Sequence, residues 1–346
     1  MRRRLERGLG AALAALPAAL VSRLAGAPVV VRGRTLDPRL ALLARASARQ
    51  TPFHEMTPAQ ARATSNRTIR LSAGPSRPVR SVDHRSIPGA AGFLPARVYH
   101  PLGVNGPRPL VLFFHQGGCV IGNLDWCEPF CTRLAERARC VVMSVDYRLG
   151  PEHRFPAAQD DAVASYRWAL AHASEVGGDP QRLVVAGDSA GGGLAAHITH
   201  ASKRSGDPQP LLQILVYPWL EAYADNAAYR DFEDEFPLDP AGLRWFLSHY
   251  TTDEAERRDP RLSPGLESDF GGLAPALIAT AGFDPLCDEG EAYAGKLEAA
   301  GVPVRHRCYE SLTHSFTSLG GVVPAAADAL DEIAGDLERL LTGGSI

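Results

Sequence analysis

The sequence predicts an α/β fold, a mostly parallel central sheet flanked by helices and doubly wound. Three observations predict it. First, short apolar runs recur after residue 80: Leu110–Phe114, Cys140–Val145, Leu183–Ala186, Leu211–Tyr217, Ala276–Ala281 and Val304–Tyr309. Second, most of them are apolar throughout, the pattern of strands buried on both faces of a parallel sheet. Third, segments of helical period lie between them: Phe130–Ala138, Ala157–Ala173, Gly192–Ser205, Glu289–Ala300 and Ala325–Leu341. In the last of these, Leu330, Ile333, Leu337 and Leu341 fall on one face.

Composition bounds what such a fold can do. The chain has 346 residues and is 45% hydrophobic, enough for a sizeable core. Its 36 Lys and Arg nearly balance 39 Asp and Glu, so no broad attraction to nucleic acid is expected. Six cysteines, at 119, 127, 131, 140, 287 and 308, form no CxxC pair. Cys127 and Cys131 are four apart on a helix, but no His/Cys cluster completes a metal site. Buried small hydrophobes in a reducing, cytoplasmic compartment are the expectation, with no metal and no cofactor.

The chemistry starts at Ser189. Leu183 to Asp188 reads as a strand and Ala190 onward as a helix, with Gly187-Asp188-Ser189-Ala190-Gly191 between them. This is G-x-S-x-G in its required strand–turn–helix setting. The sharp turn strains the serine backbone, and glycines flank it because side chains there would collide. A serine hydroxyl is a poor nucleophile alone and needs a general base. The helix start behind it favours negative charge. Upstream, the strand to His115 runs into Gln116-Gly117-Gly118-Cys119-Val120-Ile121-Gly122. Such small residues let backbone N–H groups point into a pocket. Together with the Ala190 N–H they would hold the oxyanion of a tetrahedral intermediate.

These residues resemble the hormone-sensitive-lipase-like group of bacterial esterases and lipases, often called family IV. His115-Gln-Gly-Gly118 is similar to its His-Gly-Gly-Gly motif. Tyr147-Arg-Leu-Gly-Pro-Glu152 resembles its Tyr-Arg-Leu-Ala-Pro-Glu stretch. Gly187–Gly192, Asp284-Pro-Leu-Cys-Asp-Glu289 and His314-Ser-Phe316 resemble three more of its motifs. The resemblance implies an α/β-hydrolase fold with a helical cap and short- to medium-chain acyl esters as substrates. It also implies that Gly117 and Gly118 supply the oxyanion donors. Gln116, Gly150 and Ser315 depart from the family's residues. Cys119 stands where the family often has a large aromatic, and a smaller residue there is expected to widen the pocket mouth.

The base and acid follow in chain order. Asp284 closes the strand Ala276–Ala281, and His314 follows the strand Val304–Tyr309, so both are expected at the sheet edge that carries Ser189. His314 would take and return the proton. Asp284 would orient its imidazole, with Asp288 as the rival acid at a helix start. His115, Tyr147, Arg148 and Asp160 or Asp161 read as scaffold.

Residues 1–80 are expected to form an N-terminal cap segment and 81–346 the catalytic domain, interrupted at about 218–270 by a cap insertion. The insertion is acidic and carries Trp219, Tyr223, Tyr229, Phe232, Phe236, Trp245, Phe246 and Tyr250. It would fold over the strand ends, with most of its aromatics forming its own small core. Cys119, Val120, Phe246 and Phe316 are expected pocket liners. Met1–Arg7 is basic and Gly8–Ala27 is rich in Ala and Leu, which mimics a signal peptide ending at Ala25-Gly26-Ala27. Arg23 interrupts that run, and Leu5, Leu9, Leu16, Leu20 and Leu24 repeat at helical spacing. An amphipathic helix is expected instead, packed on the lid or grazing a membrane surface. The run is too short to span a bilayer. Asn66-Arg67-Thr68 is a glycosylation sequon without meaning in a cytoplasmic protein.

The function expected is hydrolysis of a small-molecule carboxylic ester through an acyl-serine intermediate. The alternatives are a deacetylase, lactonase or amidase acting on one natural product, and a non-catalytic receptor on the same scaffold. A homodimer is one expected state.

Overall fold

The computed structural model describes residues 13–346 except 105, 224, 234–236 and 345. The basic stretch Met1–Arg7, Leu5, Leu9 and Phe236 lie outside the described residues.

Eight strands build the main sheet: β1 (Ser81–Gly89), β2 (Gly92–His100), β3 (Arg108–Phe114), β4 (Val141–Val145), β5 (Gly178–Asp188), β6 (Leu212–Val216), β7 (Ala276–Phe283) and β8 (Val304–Thr313). Their order is β8-β7-β6-β5-β3-β4-β2-β1. The six from β3 to β8 pair in parallel, while β2 pairs antiparallel with both β1 and β4. The parallel strands are the six apolar runs of the sequence. β6 and β7 are buried at every residue, as strands covered on both faces must be. β1 and β2 escaped the sequence reading. They form the sheet's margin, carry Pro88 and Pro95, and leave much of β1 in water. Their pattern is therefore too polar to stand out.

Helices cover both faces. α1 (Ala18–Ala25), α2 (Pro38–Ser47) and α3 (Pro58–Ser72) precede the sheet. α4 (Leu124–Ala138) and α11 (Pro324–Leu341) cover one face, with Phe130, Leu134, Leu330, Ile333 and Leu337 in a single apolar core. α5 (Ala157–His172), α6 (Ala190–Ser205) and α10 (Cys287–Ala299) cover the other through Tyr166, Leu194, Ile198 and Leu297. α4 starts earlier than the expected Phe130, because Asn123 caps it by accepting from the Asp125 N–H at 2.9 Å. Pro129 loses one helical hydrogen bond but does not end the helix. All six cysteines are unpaired and five are buried.

The leucine stripe of the N-terminus is a correction. Leu5 and Leu9 lie outside the described residues, and Pro17 caps the start of α1 just after Leu16, so among the described residues the helix carries only Leu20 and Leu24 of the stripe. The packed face carries Val21 and Ala25, while Leu20 and Leu24 are 43% and 53% exposed. No described helix is long and apolar enough to cross a membrane. Asn66 of the sequon also has a structural use. Its side-chain oxygen accepts from Asn123 at 2.7 Å and Trp126 at 2.6 Å, tying α3 to α4.

Between β6 and β7 the chain forms α7 (Ala227–Asp231), α8 (Pro240–Tyr250) and α9 (Glu254–Arg258). Most of the described aromatics here are core. Phe232 packs on Phe283, and Tyr250 donates to Gln159 at 2.6 Å. Trp245 and Phe246 meet Phe53 from the N-terminal segment at 5.0 and 5.4 Å between ring centres. Thus two segments far apart in sequence meet over one end of the sheet. Arg62 of α3 fastens the N-terminal segment beneath them, donating to Val120 O, Gly150 O and both oxygens of Glu152.

Candidate active site

Strand register assembles the site. Phe114 of β3 lies opposite Gly187 of β5, so the loop at 115–118 emerges beside Ser189. Tyr309 of β8 lies opposite Ala281, but Thr313 lies opposite Phe283 after a bulge. That irregularity brings His314 level with Asp284.

Ser189 has φ 54° and ψ −122°, a strained conformation for a non-glycine residue. The surroundings hold it there. Its N–H donates to Val216 O at 2.9 Å, and its carbonyl accepts from the N–H groups of Gly193 and Trp219. A Cβ on Gly187 would lie 2.2 Å from Gly191 O, and one on Gly191 would lie 1.9 Å from Phe114 O. Only glycine fits at either position.

His314 Nε2 is 2.9 Å from Ser189 Oγ, and His314 Nδ1 is 2.8 Å from Asp284 Oδ2. Asp284 Oδ1 accepts from the Leu286 N–H at 2.9 Å, which fixes the carboxylate plane. Asp284 is fully buried. A carboxylate cannot donate, so Nδ1 carries the proton and Nε2 is free to accept from the serine. Asp288 lies elsewhere. It binds Arg32 through both oxygens and accepts from the Ala228 N–H at 2.9 Å. Burial would raise its pKa, but these partners outweigh burial and hold the carboxyl below its ordinary range.

The loop after β3 is tightly wound. Gly117 has φ 129° and Gly118 has φ 59°. A Cβ on Gly117 would lie 2.1 Å from Ile121 O. Burial pushes His115 below the ordinary imidazole range, so the ring stays neutral. Its Nδ1 donates to Gln116 O at 2.7 Å, and it stacks on Tyr147, whose hydroxyl donates to His115 O at 2.7 Å. Arg148 donates to both oxygens of Asp161, which fills the scaffold role left open between Asp160 and Asp161. Ala190 opens α6 directly behind Ser189.

Over these groups lies a cavity of about 530 Å³. Ser189, His314, Gln116, Gly117 and Gly118 form its floor. Phe246, Leu238 and Leu243 wall it from the insertion, and Leu43, Phe53, Met56 and Ile69 from the N-terminal segment. Of the expected liners only Phe246 is one. Cys119, Val120 and Phe316 are corrections: all three are buried in the core, and none lines the cavity although Gly118, Ile121 and Ser315 beside them do. Cys119 turns inward at φ 57°, Val120 exposes only its carbonyl to Arg62, and Phe316 packs on Tyr217 and Tyr309. A tryptophan at 119 would therefore overfill the core rather than narrow a pocket mouth. The N-terminal liners gave no sequence signal, since they sit on short helices and loops without a shared period. Among the described residues no group of three or more His, Cys, Asp or Glu could hold a metal ion.

A buried serine on a strand–helix turn, bonded to a histidine that is bonded to an aspartate, defines a serine hydrolase site on a parallel sheet. A family model described as an alpha/beta hydrolase fold matches residues 111–318. The chain is 40% identical over 329 residues to a carboxylic ester hydrolase, LipN, of Mycobacterium tuberculosis, covering 91% of this chain and 87% of that one. It is 35% identical to an ethyl acetate hydrolase of Pseudomonas putida, covering 86% and 95%. A thermostable esterase structure from Pseudomonas putida matches with TM-score 0.84 at 33% identity, covering 88% and 98%. An esterase structure from Pyrobaculum calidifontis matches with TM-score 0.83 at 32% identity, covering 88% and 98%. The chain belongs to the α/β hydrolases, and within them to the hormone-sensitive-lipase-like esterases.

Proposed function

We propose that the chain hydrolyses short- to medium-chain carboxylic esters, with Ser189 as nucleophile, His314 as base and Asp284 as the group that orients it. Ser189 Oγ attacks the ester carbonyl as its proton passes to His314 Nε2. The carbonyl π pair moves to oxygen, and the N–H groups of Gly117, Gly118 and Ala190 stabilise that oxyanion. Collapse breaks the bond to the leaving oxygen, which takes the proton from His314 and departs as alcohol. Water then attacks the acyl-serine, giving its proton to His314. The carboxylic acid leaves and Ser189 regains its proton. No cofactor or metal enters this sequence. Residues 1–80 and about 218–270 cap a catalytic domain that spans 81–346.

One observation carries the reading: the unbroken row from Ser189 Oγ through His314 to Asp284, at 2.9 and 2.8 Å. The apolar walls of the cavity support an acyl chain, and its size suits a substrate of modest length. The test is a panel of p-nitrophenyl esters of rising chain length, with Ser189→Ala as control. Activity on the shorter members and its loss in the alanine variant are expected. No activity on any member, or full activity without Ser189, overturns the reading.

A further inference from the structure

We propose that Gln116 acts with Ser315 and Ser318 as a positioning clasp, locking the loop that bears Gly117 to the turn that bears His314. The proposal rests on the reading that Ser189 and His314 carry the chemistry. Gln116 is 4% exposed, and its amide is used at both ends. Its Oε1 accepts from Ser315 Oγ at 2.6 Å, and its Nε2 donates to Ser318 Oγ at 2.6 Å. The three side chains sit at the floor of the cavity beside Ser189.

Gln116 and Ser315 are two of the positions where this chain departs from the motifs it otherwise resembles, where glycine is usual at both. They are bonded to each other across 199 residues of sequence. Glycine at either position could not make that bond. Ser315 also bears a cost for being serine. Its φ is 60°, a conformation that glycine adopts without strain. The hydroxyl therefore offsets a backbone penalty by donating to Gln116.

Placement gives the clasp its consequence. Gln116 immediately precedes Gly117, and Ser315 immediately follows His314. The clasp thus bridges the candidate oxyanion donors and the candidate base, each one residue away. Attack on the carbonyl needs both held in register, and small misplacements of such groups cost rate steeply. A second tie runs below it. Thr317 Oγ1 donates to Asp188 Oδ2 at 2.7 Å, joining the same turn to the residue before Ser189. The clasp closes the remaining side.

The test is a double-mutant cycle of Gln116→Met and Ser315→Gly on the best p-nitrophenyl ester, with melting temperatures measured alongside. Ser315→Gly relieves strain but also removes a hydrogen bond, so a purely structural role would show in the melting temperature and leave kcat unchanged. The clasp predicts that kcat instead falls about three- to tenfold, with KM within about twofold and melting temperature not lowered. Gln116→Met should lose at least as much. In its background Ser315→Gly should cost nothing further. Wild-type kcat in Ser315→Gly, losses that multiply in the double variant, or a change confined to KM would overturn the clasp. Should Gln116→Met prove insoluble, Gln116→Asn, too short to reach both serines, takes its place in the cycle. An inactive wild type, or an active Ser189→Ala, would overturn the underlying reading instead.

Discussion

A Cβ placed on Gly118 would lie 2.3 Å from the ring of Phe246. The tight loop beside Ser189 and the helix of the insertion are therefore in direct contact, with no room for a methyl group between them. Gly118→Ala would have to push the loop or the ring aside, and its φ of 59° adds strain. We expect kcat to fall about 100-fold, the scale of losing one oxyanion donor. Steady-state kinetics on a folded, soluble variant would check this; near-normal kcat would mean the loop is not held as described.

Phe246 itself walls the cavity against Phe53 and Trp245. Phe246→Ala removes a ring from that wall. The preferred ester should shift toward longer or bulkier acyl chains, with KM rising for the shortest ones. An unchanged chain-length profile would show that substrate does not reach this wall.

The two aspartates after β7 should behave differently. Asp284→Asn leaves a neutral partner at His314 Nδ1 and should lower kcat about 10⁴-fold. Asp288→Asn breaks the bidentate contact with Arg32, which ties the N-terminal segment to α10 and α7. It should retain most of kcat and lower the melting temperature. Should Asp288→Asn prove the more damaging to kcat while both variants fold, the acid is misassigned.

Asp188 supplies a pH signature. Burial, opposed by Thr317, Tyr217 and the Gln116 N–H, pushes its carboxyl from 3.8 up to about 6. Between those values the native state holds a proton that the unfolded chain has released. Stability from this group is therefore full below the lower value and is lost as pH rises through about 6. Asp188→Asn removes the titration. Denaturant unfolding across this range should show a flatter pH dependence in the variant than in the parent. Parallel profiles would contradict the protonated, buried carboxyl.

Much of this was legible in the sequence, for physical reasons. Most of the parallel strands are apolar throughout because helices bury both faces, so they could be read directly; β8, at the other margin of the sheet, is only partly buried and carries Arg305 and Arg307. The Ser189 turn could be read because crowding at Gly187 and Gly191 admits only glycine. His314 and Asp284 followed from chain order. Other features had no local signal. β1 and β2 lie at a half-wet margin. The packed face of α1 carries Val21 and Ala25 rather than Leu20 and Leu24. Cys119, Val120 and Phe316 neighbour the site in sequence, yet their side chains turn into the core. The bond between Gln116 and Ser315 joins residues far apart in the chain, and only the fold brings them together.

The central claim is that Ser189 Oγ becomes acylated during turnover. The direct measurement is acid-quenched mass spectrometry of the protein mixed with excess p-nitrophenyl butyrate, followed by peptide mapping. The account predicts a butyryl adduct on the peptide carrying Ser189 and none in Ser189→Ala. Hydrolysis with no adduct at Ser189, or with an acyl group carried by another residue, would contradict it.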